Sequence, residues 1–273
     1  MRILLSIMMV LGLNLSLEGC MSGGSSMEDV SKSYVGFFDT SSLQKSALVG
    51  HSLDPSASTA DKISGELDRK INRLSIARMQ GDINSSRTLT VLDGGGSITI
   101  SGVGTKYVVR YIAQPTTGNP TFGVIGSATK LADIPTGGGA SYSGGTQLQI
   151  IDGQIVYDLA GALSMVADFT AGSISLDISN LNGTKIDGTS VPTSITNVAT
   201  INISGNISNN GFSGKNITMN STELVHSLTG SQTLYAEGHF FGPSADEIGG
   251  VILVDDSVSG SAFVLQGTFI GER

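Results

Sequence analysis

The chain has 273 residues, 39% of them hydrophobic and 5% aromatic, with 37 glycines, no tryptophan and a single cysteine. That length suits one sizeable domain, or one with a small companion, and the lone cysteine excludes an intramolecular disulfide, so stability must come from a packed core. The formal charge of −8 is uneven: residues 131–273 carry three basic against thirteen acidic side chains, which disfavours nucleic acid and suits either a basic protein partner or simply a well-solvated surface.

Met1 and Arg2 make a short positive start, and Ile3 to Leu17 are apolar apart from Ser6, Gly12, Asn14 and Ser16. That is the length of a secretion-signal core and short of the roughly 20 residues of a membrane span. It runs into Leu17-Glu18-Gly19-Cys20, which is similar to the lipobox of bacterial lipoproteins, with Glu18 an unusual residue for it. Residues 1–19 are therefore expected to be a signal peptide and Cys20 the site of lipid attachment. Acyl chains on Cys20 would anchor the protein firmly, since each buried methylene contributes about 0.8 kcal/mol. Residues 20–59, opening Met21-Ser22-Gly23-Gly24-Ser25-Ser26, read as a flexible tether.

Residues 60–80 place Ile63, Leu67, Ile71 and Leu74 at helical spacing, with charged residues between them, which predicts a short N-terminal helix. From residue 86 the period becomes two. Thr88–Leu92, Ser97–Ser101, Tyr107–Ile112 and Thr121–Ile125 read as four strands of a small sheet. Helix and sheet make one unit over 60–134, closed by the breaker Pro135-Thr136-Gly137-Gly138-Gly139. Residues 135–273 read as eight strands, near 139–151, 154–169, 172–181, 197–205, 211–219, 232–241, 248–254 and 261–270. Asp152-Gly153 marks a two-residue hairpin of type I′. Eight sequential strands with short turns predict a closed antiparallel β-barrel, because closure removes exposed edges. The expected fold is all-β: an eight-stranded barrel preceded by a small sheet and the short helix.

Near the end of the chain stand Gly238-His239-Phe240-Phe241-Gly242-Pro243, then Glu247, Gly249 and Gly250, then Gly267-Thr268-Phe269-Ile270-Gly271. With Gly137-Gly138-Gly139-Ala140-Ser141-Tyr142-Ser143-Gly144 and Ala167-Asp168-Phe169, this series resembles the barrel signature of the transferrin-binding protein B family. The resemblance covers roughly 135–271, and the sheet at 86–126 is similar to that family's "handle". The chain has room for one handle–barrel lobe where transferrin-binding protein B has two.

The resemblance implies an outer-membrane, surface-displayed lipoprotein, not an enzyme, that binds a protein ligand in iron, haem or metal-protein acquisition. It further implies a TonB-dependent receptor and a lipoprotein translocon as partners. The alternative is a structural or immune-evasion lipoprotein similar to factor H binding protein. Contacts are expected in the segments 182–196 and 220–231 and in the 86–126 sheet, because loops on a rigid scaffold carry variable chemistry. No cofactor is expected. His51, His226 and His239 lie far apart without metal-ligand spacing, and surface or turn roles are expected for them. Asp246, Glu247, Asp255 and Asp256 suit a solvated acidic loop better than a calcium site. Tyr142, Tyr157 and Tyr235 are candidates for a modest pocket.

Overall fold

The computed structural model describes residues 45–273 except 55–58, 69–72, 77–78, 83–87, 91–95, 102–104, 118–119, 189–190, 225–227, 229–232 and 257–261. The described residues form two antiparallel sheets. The first contains β1 (Lys45–Asp54), β2 (Thr59–Asp68), β3 (Arg73–Ile76), β4 (Met79–Asp82), β5 (Thr88–Thr90), β6 (Gly96–Ser101), β7 (Val108–Pro115) and β8 (Thr121–Gly126). Their spatial order is β4-β3-β2-β1-β8-β7-β6-β5. The two edge strands approach one another, so the sheet curls around its own core of Leu48, Leu67, Leu74, Ile98, Tyr111 and Ile125.

Two expectations are corrected here. The helix over 60–80 does not form: its described residues lie in β2, β3 and β4. Ile63 and Leu67 are four apart, an even number, so they share one face of a strand as well as one face of a helix. Gly65, unfavourable in a helix, sits between them where β2 closes on β3, and an added Cβ would meet the Ser75 carbonyl and lie 2.6 Å from the Ile125 side chain. The tether over 20–59 also does not extend over 45–54, which is β1, a central strand between β2 and β8. Leu48 of β1 faces the core of its own sheet, while His51 and Leu53 face the barrel. Burial on both faces removes the polar alternation that marks a strand in sequence. Cys20 and the signal segment lie outside the described residues.

A single 3-10 turn, Leu131–Asp133, leads into the second sheet. Its strands are β9 (Gly139–Asp152), β10 (Ile155–Asp168), β11 (Ser173–Asp187), β12 (Thr193–Ile195), β13 (Ala199–Ser208), β14 (Gly211–Ser221), β15 (Thr233–Phe241), β16 (Glu247–Asp255) and β17 (Phe263–Glu272). Leaving aside β12, a short flank on β11, each strand pairs with the next and β17 returns to β9. This is the predicted eight-stranded up-and-down barrel. Alternation drives it: on β10, Leu159, Leu163, Met165 and Ala167 are buried while Ser164, Val166 and Asp168 are exposed. The first hairpin differs in type and position from the expected one. Its loop is Gly153-Gln154, between paired Asp152 and Ile155, and only Gly153 has positive φ (65°), the pattern of type II′. Aromatic rings fill the interior, with Phe212 edge-on to Phe240 at 5.3 Å and stacked on Phe269 at 6.1 Å. Each such buried side chain contributes about 1.5–3 kcal/mol.

Candidate functional site

The barrel-facing side of β1, β7 and β8 lies on the outer face of β15, β16 and β17. Two apolar clusters cover most of the seam. Val108, Val124, Phe241 and Ile270 form one, and Leu53, Val251 and Leu253 form the other. Polar contacts fix the docking. The Glu247 carboxylate accepts the backbone N–H groups of Lys106 (2.5 Å), Tyr107 (2.7 Å) and Val108 (3.1 Å). Burial pushes this carboxyl up and the three amide bonds pull it down, with burial the stronger influence. Arg110 donates to the Gly145 carbonyl, and burial in the seam lowers its guanidinium to about 10. Asn210 reaches from the β13–β14 turn to the Thr129 carbonyl (3.1 Å), while Thr129 donates to the Gly242 carbonyl (2.7 Å).

This docking sets the two sheets side by side with their strand ends aligned. Val108 at the start of β7 packs beside Phe241, at the barrel end that holds the 242–246 turn. Leu53 packs on Val251 and Leu253, toward the opposite end. The Pro115 end of β7 and the Asp54 end of β1 therefore point the same way as the Asp152, Asp187, Ser221 and Asp255 ends of the barrel strands. The segments expected to carry contacts begin at this end, although 182–187 belongs to β11 and 193–195 to β12. Asp152, Asp187, Glu223, Asp255 and Asp256 gather there with Lys185. Tyr157 points inward beneath them, its hydroxyl buried without a hydrogen-bond partner, and Lys185 Nζ lies 5.8 Å from its ring centre. Burial raises the Tyr157 hydroxyl pKa, and Asp152, Glu223 and Asp187 raise it further.

The other candidate residues do not converge on a pocket. Tyr142 donates to the Ala245 carbonyl (2.8 Å) at the far end of the barrel, and Tyr235 packs in the seam. Asp246 and Glu247 sit at one end of β16, Asp255 and Asp256 at the other, so they form no common acidic loop. Among the described residues no group of three or more His, Cys, Asp or Glu side chains is placed to hold a metal ion. His226 lies outside the described residues. His51 and His239, expected in surface or turn roles, instead meet in the seam at 2.8 Å. No short-range signal could announce that contact, because the two residues are 188 positions apart.

The profile described as "C-lobe and N-lobe beta barrels of Tf-binding protein B" matches residues 134–273. The chain belongs to the transferrin-binding protein B barrel family. Among solved structures it is similar to a Transferrin Binding Protein B variant from Haemophilus parasuis Hp5, at 15% identity over 84% of this chain and 44% of that one, with TM-score 0.55. It is also similar to intact Ap-TbpB (N and C lobes), at 16% identity over 84% and 45% of the two chains, with TM-score 0.51. The haemoglobin receptor HpuA from Kingella denitrificans aligns at 15% identity over 86% and 89% of the chains, with TM-score 0.41. No curated protein matches by sequence. The chain spans less than half the length of the first solved structures it matches.

The family signature can now be read physically. Gly238 and Gly250 are cross-strand neighbours on β15 and β16. Added Cβ atoms there would strike the rings of Phe212 and Phe269, so the two glycines hollow the wall for that stacked pair. Within the same signature, His239 and Phe241 face outward to the seam while Phe240 faces the interior. The signature thus closes the barrel with its inward residues and docks the handle with its outward ones.

Proposed function

We propose that this chain is an outer-membrane lipoprotein, anchored through Cys20 and displayed at the cell surface, that captures an iron-, haem- or metal-carrying protein without acting as an enzyme. The observation that carries this is the alignment of handle and barrel. The two sheets are locked by Glu247 and by two apolar clusters, and their strand ends present one composite surface on the side away from the signature turn. Membership of the barrel family supports it, since the solved relatives with the same fold are named for binding transferrin. A receptor powered through TonB would take over the captured cargo, and a lipoprotein translocon would deliver the chain to the surface. The test is capture from serum by the purified full chain after growth under iron limitation, with bound proteins identified by mass spectrometry. Enrichment of an iron or haem carrier is expected. Enrichment of complement regulators alone would favour an immune-evasion role similar to factor H binding protein.

A further inference from the structure

We propose that His51 and His239 form an acid-sensitive latch between handle and barrel, holding the seam closed while both rings are neutral and loosening it when both are protonated. His51 lies on β1 and is 1% exposed, while His239 lies on β15. His51 Nε2 is 2.8 Å from His239 Nδ1, and the ring centres are 4.7 Å apart. One nitrogen must donate and the other accept, so the contact needs at least one unprotonated nitrogen at the junction. Two imidazolium rings would set two N–H donors and two positive charges against each other in a buried seam.

The charged groups around the pair are few. Lys62 of β2 is the cross-strand partner of His51 and adds positive charge. Glu237 of β15, 33% exposed, places a carboxylate oxygen 3.6 Å from His51 Nδ1, so it can offset one proton but not two. The residues opposite the pair on β8, β14 and β16 are Val124, Gly211 and Gly249, none of them charged. Glu247, further along β16, is already occupied by the three handle amides. Burial is the main cause that lowers His51 to about 3 and His239 to about 4, from an ordinary value of 6.5.

The sign follows from linkage. Rings released from the seam regain the ordinary value and bind protons below about pH 6.5, whereas rings held in it do not. The open form therefore gains on the closed one as pH falls from 6.5 toward the values in the closed seam. Two rings amount to roughly a hundredfold between pH 7.5 and 5.5. Glu247 has the opposite sign. Its raised carboxyl takes up a proton more readily in the closed seam, so it does not mimic the latch.

The test uses the full chain in mild detergent, with NMR titration of labelled histidine rings and hydrogen exchange, corrected for intrinsic rates, of the Thr129 and Gly242 amides, which bond across the junction to Phe240 and Ser127. Two rings that stay neutral below pH 5 are expected, with protection of those two amides falling up to about a hundredfold from pH 7.5 to 5.5 while β13 keeps its own. The His51→Gln/His239→Gln double variant is expected to lose that pH dependence, and Glu247→Gln to keep it. Should the double variant fail to fold, His239→Asn leaves one ring and limits the fall to about tenfold. Rings titrating near 6.5 in the wild type, unchanged protection of the Thr129 and Gly242 amides, or a double variant that still loosens with acid would each overturn the latch.

Discussion

Glu247 shows how one side chain can join two domains. Its carboxylate serves three consecutive backbone amides at the entry to β7. Hydrogen bonds to a charged group contribute about 1.5–3 kcal/mol each, and orphaned buried donors are costly. Glu247→Ala is expected to destabilise the full chain by about 3 kcal/mol or more in urea unfolding, and Glu247→Gln by less. A loss below about 1 kcal/mol would mean that water replaces the carboxylate. Gly250→Val sets a Cβ against the Phe269 ring and the β15 backbone, with an expected cost of about 1–3 kcal/mol or more in urea unfolding. At the N-terminal end, Cys20→Ala is expected to abolish labelling by a palmitate analogue that marks the wild type. Equal labelling of both would remove the anchor.

Among the elements, the barrel and strands β5 to β8 of the handle were legible in the sequence, whereas β1 to β4 were not, for a physical reason. Barrel strands such as β10 have one dry face and one wet face, so Leu163, Met165 and Ala167 alternate visibly with Ser164, Val166 and Asp168. β1 has no wet face to speak of: Leu48 serves the handle core and Leu53 the seam. In β2 the even spacing of Ile63 and Leu67 suits either period, and the partner that decides between them, β1, lies in a stretch rich in Ser, Ala and Gly. The seam was illegible for another reason, since Glu247 and His239 find partners some 140 and 188 residues away. A consequence can be checked by limited proteolysis. A chain starting at residue 60 lacks the strand between β2 and β8, so its handle is expected to be cut rapidly while β9 to β17 resists. Equal resistance with and without β1 would contradict the observed strand order.

The described residues form two sheets clamped side by side, with their strand ends aligned. The seam buries Phe241, Val251, Leu253 and Ile270 on the outer wall of the barrel. A barrel fragment of residues 135–273 should fold in water through its own interior core, yet bind a hydrophobic dye more strongly than the full chain does. A fragment that needs detergent to stay folded would argue against a barrel with a self-sufficient core. Under the proposed function, binding is expected to depend on both sheets and on neither wall. The most direct measurement is serum capture by three forms of the full chain: wild type, a form with 188–196 and 222–231 replaced by short Gly/Ser turns, and a form with 116–120 replaced in the same way. Melting curves must first show that each form keeps its fold. Wild type is expected to enrich an iron- or haem-carrying protein, and each replacement to lower the yield at least tenfold. Equal capture by all three folded forms would contradict the composite surface and place binding on the wall or elsewhere in the chain.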